Sequence, residues 1–209
     1  MNTTSTHDKV TQDKFDKWAD TFEQKGKLFQ HFQKIIIETI KPKPKTSILD
    51  LGCGTGWAVR YAAKYLNEDG RFYGIDISEK MIKKANEMAK NIRNIQFYNT
   101  SSENLPFEND SIDTIISSFS FHHYKNPIIA LNEADRVLKS GGRIHIIDIT
   151  PDDLFIKLFD ILMKVIQKEH VKQHSTREFK EMYTLSKLKY VDSKIVTTYP
   201  VRMHIAEKP

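Results

Sequence analysis

Three glycines at alternate positions, Gly52, Gly54 and Gly56, follow the apolar run Ile48-Leu49-Asp50-Leu51. No other stretch restricts the possible folds as much. Glycine lets a backbone turn sharply and lets a ligand come close to it. The apolar run reads as a buried strand, and Val59, Ala62, Ala63 and Leu66 beyond the turn read as one face of a helix. Amides at the start of that helix would face an incoming ligand. Asp50 would stand at the carboxyl end of the strand, where open α/β sheets bind their ligands.

The chain then alternates. The pattern predicts strands over 47–51, 71–77, 95–98, 112–117 and 143–149, with helices over about 56–66, 78–91 and 127–138. Ser78 is placed to cap the second of these helices, and Lys139-Ser140-Gly141-Gly142 reads as a turn after the third. Strand and helix in repeated succession imply an α/β fold: a doubly wound, mostly parallel sheet with helices on both faces. Ahead of it, Phe15, Trp18, Ala19 and Phe22 are spaced as one helical face. A second helix is expected over 26–40, with Leu28, Phe32, Ile35, Ile36 and Thr39 on one side, and Pro42 and Pro44 stop it. Together they form an N-terminal helical cap. Beyond the alternation, Leu154 to His170 reads as one long amphipathic helix. Ser175, with Glu178 three residues on, opens a shorter one. Runs on either side of Tyr199-Pro200 read as an antiparallel hairpin at the sheet end. The expected organisation is a disordered tail over 1–10 and one domain over 11–209. Within that domain, 11–45 is the cap and 151–182 a helical insertion suited to act as a lid.

Composition narrows the classes. The 209 residues carry 32 Lys and Arg against 27 Asp and Glu, a net charge of +5. The lysines are spread along the whole chain, as on a solvated surface, and no basic, aromatic platform for a nucleic acid stands out. A single cysteine, Cys53, rules out an internal disulfide and fits a reducing cytoplasm. Met1 to Lys9 is polar, without the apolar core of a signal peptide, and no apolar run reaches the length of a membrane span. A cytoplasmic monomer or homodimer is expected.

Three ligands could sit on the glycine turn. A phosphate-cradling P-loop needs Gly-Lys-Ser/Thr, but Gly56 is followed by Trp57. A dinucleotide fingerprint, G-x-G-x-x-G, would put its third glycine where Trp57 stands. The third candidate is a nucleoside without phosphates. Asp76, at the end of the second strand, suits either nucleoside reading, since a carboxylate there can accept both ribose hydroxyls.

Asp50-Leu-Gly-Cys-Gly-Thr-Gly56 resembles motif I of the class I S-adenosylmethionine-dependent methyltransferases. Gly74-Ile-Asp76-Ile-Ser78 is similar to the family's acidic ribose motif, and Ser101-Ser-Glu-Asn-Leu-Pro-Phe107 to its adenine loop. Asp113 to Ser118 resembles the strand-four motif, and Val137-Leu-Lys-Ser-Gly-Gly142 the turn before strand five. Phe15 to Glu23 resembles the N-terminal segment of the small-molecule, ubiquinone/menaquinone-methyltransferase-like branch.

The resemblance implies a Rossmann-like fold, S-adenosylmethionine as cofactor, and methyl transfer to a small-molecule acceptor by in-line displacement. Positioning and exclusion of water would be the main catalytic devices. It implies that Asp50, Gly52, Cys53, Gly54 and Gly56 hold the methionine end, that Asp76 takes the ribose and that Ile77 packs on the adenine. It implies that Ser101, Ser102 and Glu103 meet the adenine edge and that Ser118 lies near the methionine amino group. Trp18 and Phe22 would line the pocket. Ser101 stands where relatives commonly have Asp, and Phe22 where many have Tyr. The sequence after strand four, Ser117-Ser-Phe-Ser-Phe-His122, lacks the Pro-Pro-Tyr motif used on adenine and amide acceptors.

His122 and His123, just after the fourth strand, are the candidate catalytic bases, with Asp148 at the end of the fifth as another. His170 and His174 share a helical spacing but have no evident acidic third ligand, so no metal is expected. An S-adenosylmethionine-binding sensor or scaffold without turnover is the alternative.

Overall fold

β1 (Ser47–Leu51) is buried along its whole length, and the sheet is built outward from it. The computed structural model describes residues 6–40, 45–66, 70–152, 172–197 and 200–209. The sheet's other strands are β2 (Arg71–Asp76), β3 (Ile95–Asn99), β4 (Ile112–Ser118), β5 (Leu138–Ile149), β6 (Lys189–Ile195) and β7 (Val201–Glu207). Among the described residues the sheet has the order β3-β2-β1-β4-β5-β7-β6. β1 to β5 run parallel, whereas β7 is antiparallel to both β5 and β6. The terminal hairpin expected from the sequence therefore closes one edge of a mostly parallel sheet.

Helices cover both faces. α3 (Lys27–Ile40), α4 (Trp57–Tyr65) and α5 (Glu79–Ala89) lie on one side, where Ile36, Ile37, Val59, Ala62 and Ile82 pack with Ile48, Phe72 and Ile116. α6 (Pro127–Val137) and α7 (Thr176–Leu185) lie on the other, where Leu131, Ala134, Phe179 and Tyr183 pack with Leu49, Ile115 and Ile146. Full burial of such a side chain contributes about 1.5–3 kcal/mol. Ser78 caps α5 by accepting from the Met81 amide (3.1 Å). Ser175 and Glu178 form a reciprocal capping box at α7.

Several sequence expectations are corrected. α1 spans Thr6–Trp18, so residues 6–10 are helical rather than an irregular tail; their polar residues show no apolar stripe to announce it. Phe15 and Phe22 do not share a helix. The Thr21 amide donates to the Trp18 carbonyl, closing a turn, and Phe22 opens the short α2 (Phe22–Lys25). α3 is rotated from the expected face: Gln33 and Ile37 are buried, and Leu28 is exposed. Lys139 to Gly142 is part of β5 rather than a free turn, because Leu138 pairs with Ile112 before a bulge restores register at Arg143. The long helix over 154–170, with His170, lies outside the described residues. Among the described residues no helix is long and apolar enough to cross a membrane.

β1 hydrogen-bonds β2 on one side and β4 on the other, with Asp50 level with Gly74 and Ile116. The strand order reverses direction there, so the carboxyl ends of β1 and β4 flank the crevice where such sheets bind ligands.

Candidate active site

The glycine loop is pinned to β2 by its own backbone. The amides of Gly52 and Cys53 both donate to the Ile75 carbonyl, at 2.9 and 2.8 Å. All three glycines hold positive φ, at 72°, 53° and 74°. A Cβ on Gly52 would sit 2.6 Å from Ser120 Cβ, and one on Gly54 would sit 3.2 Å from the Phe22 ring. Both glycines line a cavity of about 350 Å³ at the carboxyl end of the sheet. Gly56 and Asp50 do not line it directly. A Cβ on Gly56 would sit 2.4 Å from the Phe97 ring and 3.1 Å from Ala85 Cβ, so this glycine lets α4 start close against β3 and α5.

Two carboxylates lie at the loop. Asp76 Oδ2 accepts from the Gly54 amide and Oδ1 from the Ser78 amide, each at 2.9 Å. Each oxygen keeps a second lone pair, which suits a vicinal diol. Burial pushes Asp76 up to about 6, against the opposing pull of these amides. Asp50 is fully buried beneath the loop, and neither of its oxygens has a hydrogen-bond partner among the described residues. Burial first, and the charge of Asp76 second, hold it well above the usual carboxylate range. An unpartnered buried carboxylate is costly, and a cationic group brought near it would relieve that cost. The glycine cradle, the orphaned Asp50 and the diol-ready Asp76 fit an adenosyl sulfonium with an amino group. They offer nothing for a pyrophosphate.

Most of the other sequence-predicted residues also meet at this cavity. Trp18, Phe22, Cys53, Ile77, Ser101, Ser102, Glu103, Ser118, His122 and His123 all line it. Three have partners that the sequence does not reveal. Ser101 Oγ accepts from the Glu103 amide (3.2 Å), shaping the loop from within. Glu103 accepts from the Asn126 amide and side chain, both at 3.2 Å, so its carboxylate ties this loop to the start of α6. Ser118 Oγ accepts from Gln33 Nε2 (3.1 Å).

Gln33 was missed because its helix was read by apolar spacing, which ignores a buried amide. Tyr124 was missed as a polar group. Its hydroxyl is 3.4 Å from Ser120 Oγ, which in turn is 2.8 Å from Ser117 Oγ and donates to the Leu51 carbonyl. Burial pushes the Tyr124 hydroxyl up to about 12, so it stays protonated.

The histidines are not equivalent. His122 Nδ1 lies 2.9 Å from both oxygens of Asp148, whose Oδ2 also accepts from the His122 amide (3.1 Å). Burial alone would raise Asp148. The neighbouring His122, through charge and ring hydrogen bond, together with the amides of Ile149 and His122, brings it below the usual range. Asp148 is therefore an anion that can only accept, so His122 Nδ1 carries a proton toward it. His123 makes an edge contact with Phe15 at 5.4 Å between ring centroids, and its ring lies 4.0 Å from that of His122.

Comparison with known proteins agrees with this geometry. Residues 42–198 match the sequence profile of a methyltransferase domain family. The chain is 30% identical over 162 residues to the uncharacterized methyltransferase YcgJ of Bacillus subtilis, covering 76% of this chain and 63% of that protein. It is 31% identical over 137 residues to the ubiquinone/menaquinone biosynthesis C-methyltransferase UbiE of Wigglesworthia glossinidia brevipalpis, covering 64% and 53%. The chain thus spans about half to three fifths of the length of these two relatives. The crystal structure of an S-adenosylmethionine-dependent methyltransferase from Aquifex aeolicus shares the fold, with a TM-score of 0.76 over 93% of this chain and 98% of that one, at 20% identity. The chain belongs to the methyltransferase domain family, of the S-adenosylmethionine-dependent kind.

Proposed function

We propose that this chain transfers a methyl group from S-adenosylmethionine to a small-molecule acceptor, with His122 as general base and Asp148 as the group that orients it. One observation carries the reading. The His122–Asp148 pair opens on the same cavity as the glycine cradle and Asp76. When bound, S-adenosylmethionine supplies an electrophilic methyl group and departs as a neutral thioether.

Each residue's task follows from its surroundings. Asp76 accepts from the ribose hydroxyls with its remaining lone pairs, and Ile77 packs on the adenine beside Ser101 and Ser102. Asp50 faces the positive charge of the methionine end, across Gly52 and Gly54. Gln33 holds Ser118 at that end. Phe15, Trp18, Phe29 and Phe119 supply an apolar wall for a planar acceptor, and one matched relative is named for methylation in quinone biosynthesis. Asp148 fixes the His122 ring so that Nε2 can take a proton as the new bond forms. A base held in this way is unnecessary for a sensor and counts against that alternative.

Calorimetry with S-adenosylhomocysteine, and with NADH as control, tests the donor half. Binding of NADH alone would refute it. For the acceptor half, formation of S-adenosylhomocysteine is followed over phenols, quinols and thiols. A chain that binds the donor but turns over none of them would favour the sensor reading.

A further inference from the structure

The acceptor half of the cavity has a distinct charge character. Among the described residues lining the cavity, the carboxylates are Asp76 and Glu103. Both accept hydrogen bonds from the protein itself: Asp76 from the amides of Gly54 and Ser78, Glu103 from Asn126. The cations and titratable rings of the lining are Lys14, Lys125, His122 and His123. Three of them, Lys14, His123 and His122, join the aromatic residues in one contiguous wall. The Lys14 ammonium stands 4.5 Å from the Trp18 ring centroid and 6.0 Å from that of Phe15. Phe15 in turn packs edge-on to Trp18 and to His123. Lys125 follows Tyr124 at the exposed rim.

Aromatic faces beside ammonium groups favour a flat ring that carries a negative charge. The rings take the ring, and the ammonium groups take the charge where water is partly excluded. A neutral acceptor would use only the first half of this wall. We infer that the acceptor is an aromatic compound bearing a carboxylate, held between Lys14 and Lys125 with its ring against Phe15 and Trp18. This inference rests on the methyl-transfer reading above and adds the substrate class to it.

The test uses the full chain saturated with S-adenosylhomocysteine. The probes are hydroxybenzoate and hydroxynaphthoate isomers, each paired with its neutral methyl ester, and the readout is calorimetric Kd. At least one acid should bind about tenfold more tightly than its ester at low ionic strength, with the gap shrinking in about 0.5 M salt. Replacing both lysines (Lys14→Gln with Lys125→Gln) should cut that gap to about threefold or less while S-adenosylhomocysteine binds as before. Equal binding of acids and esters, or no binding by any pair, overturns the inference and leaves the methyl-transfer reading standing. So does a double variant that loses S-adenosylhomocysteine affinity and keeps the gap, since the lysines would then serve the donor. Failure of S-adenosylhomocysteine to bind the wild-type chain would instead overturn the methyl-transfer reading, and this inference with it.

Discussion

Glu23 of α2 and Arg60 of α4 form an ion pair at 2.5 Å, and the same Glu23 oxygen accepts from Thr55 Oγ1 at 2.8 Å. The pair joins the N-terminal cap to the helix that leaves the glycine loop. The Arg60 and Glu23 side chains are only 14% and 22% exposed, so removing one partner leaves the other poorly solvated. Arg60→Met should cost about 1–3 kcal/mol of stability. It should also weaken donor binding, because Phe22 next to Glu23 packs over Gly54. Glu23→Gln, which can still bond both partners, should cost less. Urea melts and calorimetry of the two variants and their combination measure the coupling. Additive effects would show that the cap is held elsewhere.

Gly54 and Gly56 should respond differently to alanine. Both hold positive φ, so each variant carries backbone strain of about 1 kcal/mol. At Gly56 the new methyl meets the Phe97 ring and Ala85 within the packed core, and a loss of about 2–4 kcal/mol is expected. At Gly54 the nearest atom belongs to Phe22, which can move, so most of the damage should fall on donor affinity. Melting temperature and S-adenosylhomocysteine Kd for both variants separate the two roles.

The alternating pattern made the parallel sheet legible, because a buried strand and an amphipathic helix leave periodic apolar signals. The glycine loop was legible for a similar reason: its left-handed backbone forces the residue type. What the periodicity could not carry was polar burial. Gln33 points inward from a helix whose apolar residues also allow a rotated reading, and it does so to reach Ser118. Nor could adjacency in sequence separate His122 from His123, since the difference lies in Asp148, which follows on another strand. Gly56 belonged to a ligand motif by spacing, yet its neighbours Phe97 and Ala85 arrive from β3 and α5. Contacts of that range have no local signature.

Asp76 links donor binding to pH. Its folded value of about 6 lies above its ordinary value of 3.8, chiefly through burial. Between about pH 4 and 6 the folded chain without donor therefore holds more protons than the unfolded chain, and the contribution of Asp76 to stability declines as pH rises through that window. Asp76→Asn removes the decline. The unliganded variant should gain stability over wild type at pH 8 relative to pH 4.5, and should bind S-adenosylhomocysteine at least about tenfold more weakly. A variant that keeps full donor affinity would exclude Asp76 from the ribose site.

His145 acts in the opposite direction. It is buried in β5 with Nδ1 unpartnered among the described residues, and burial brings it down to about 4 from 6.5, with Arg143 and Lys194 adding to the effect. The unfolded chain takes up the proton first as pH falls below 6.5, so stability present above that pH drains away toward pH 4. His145→Leu, similar in volume and free of a titrating group, should blunt the loss. Relative to wild type, its stability should be about 2 kcal/mol more favourable at pH 5 than at pH 8. Urea denaturation at the two pH values gives the comparison, and an unchanged difference would mean that His145 is already charged in the fold.

Asp148→Asn offers the sharpest separation of the two histidines. An amide can donate to His122 Nδ1 as readily as it accepts, so the variant no longer enforces the tautomer with a basic Nε2. The charge that stabilises the protonated ring is lost as well. If His122 is the base, Asp148→Asn should lower kcat by about 10²–10³ with little change in S-adenosylhomocysteine Kd, and His122→Asn should do the same. The double variant should be no worse than either single one, because the pair acts as a unit. His123→Asn removes the ring contacts with Phe15 and His122 and should act mainly on the acceptor KM. The reverse pattern, with kcat lost in His123→Asn and kept in Asp148→Asn, would move the base to His123 and reduce Asp148 to a structural anchor for the segment after β4.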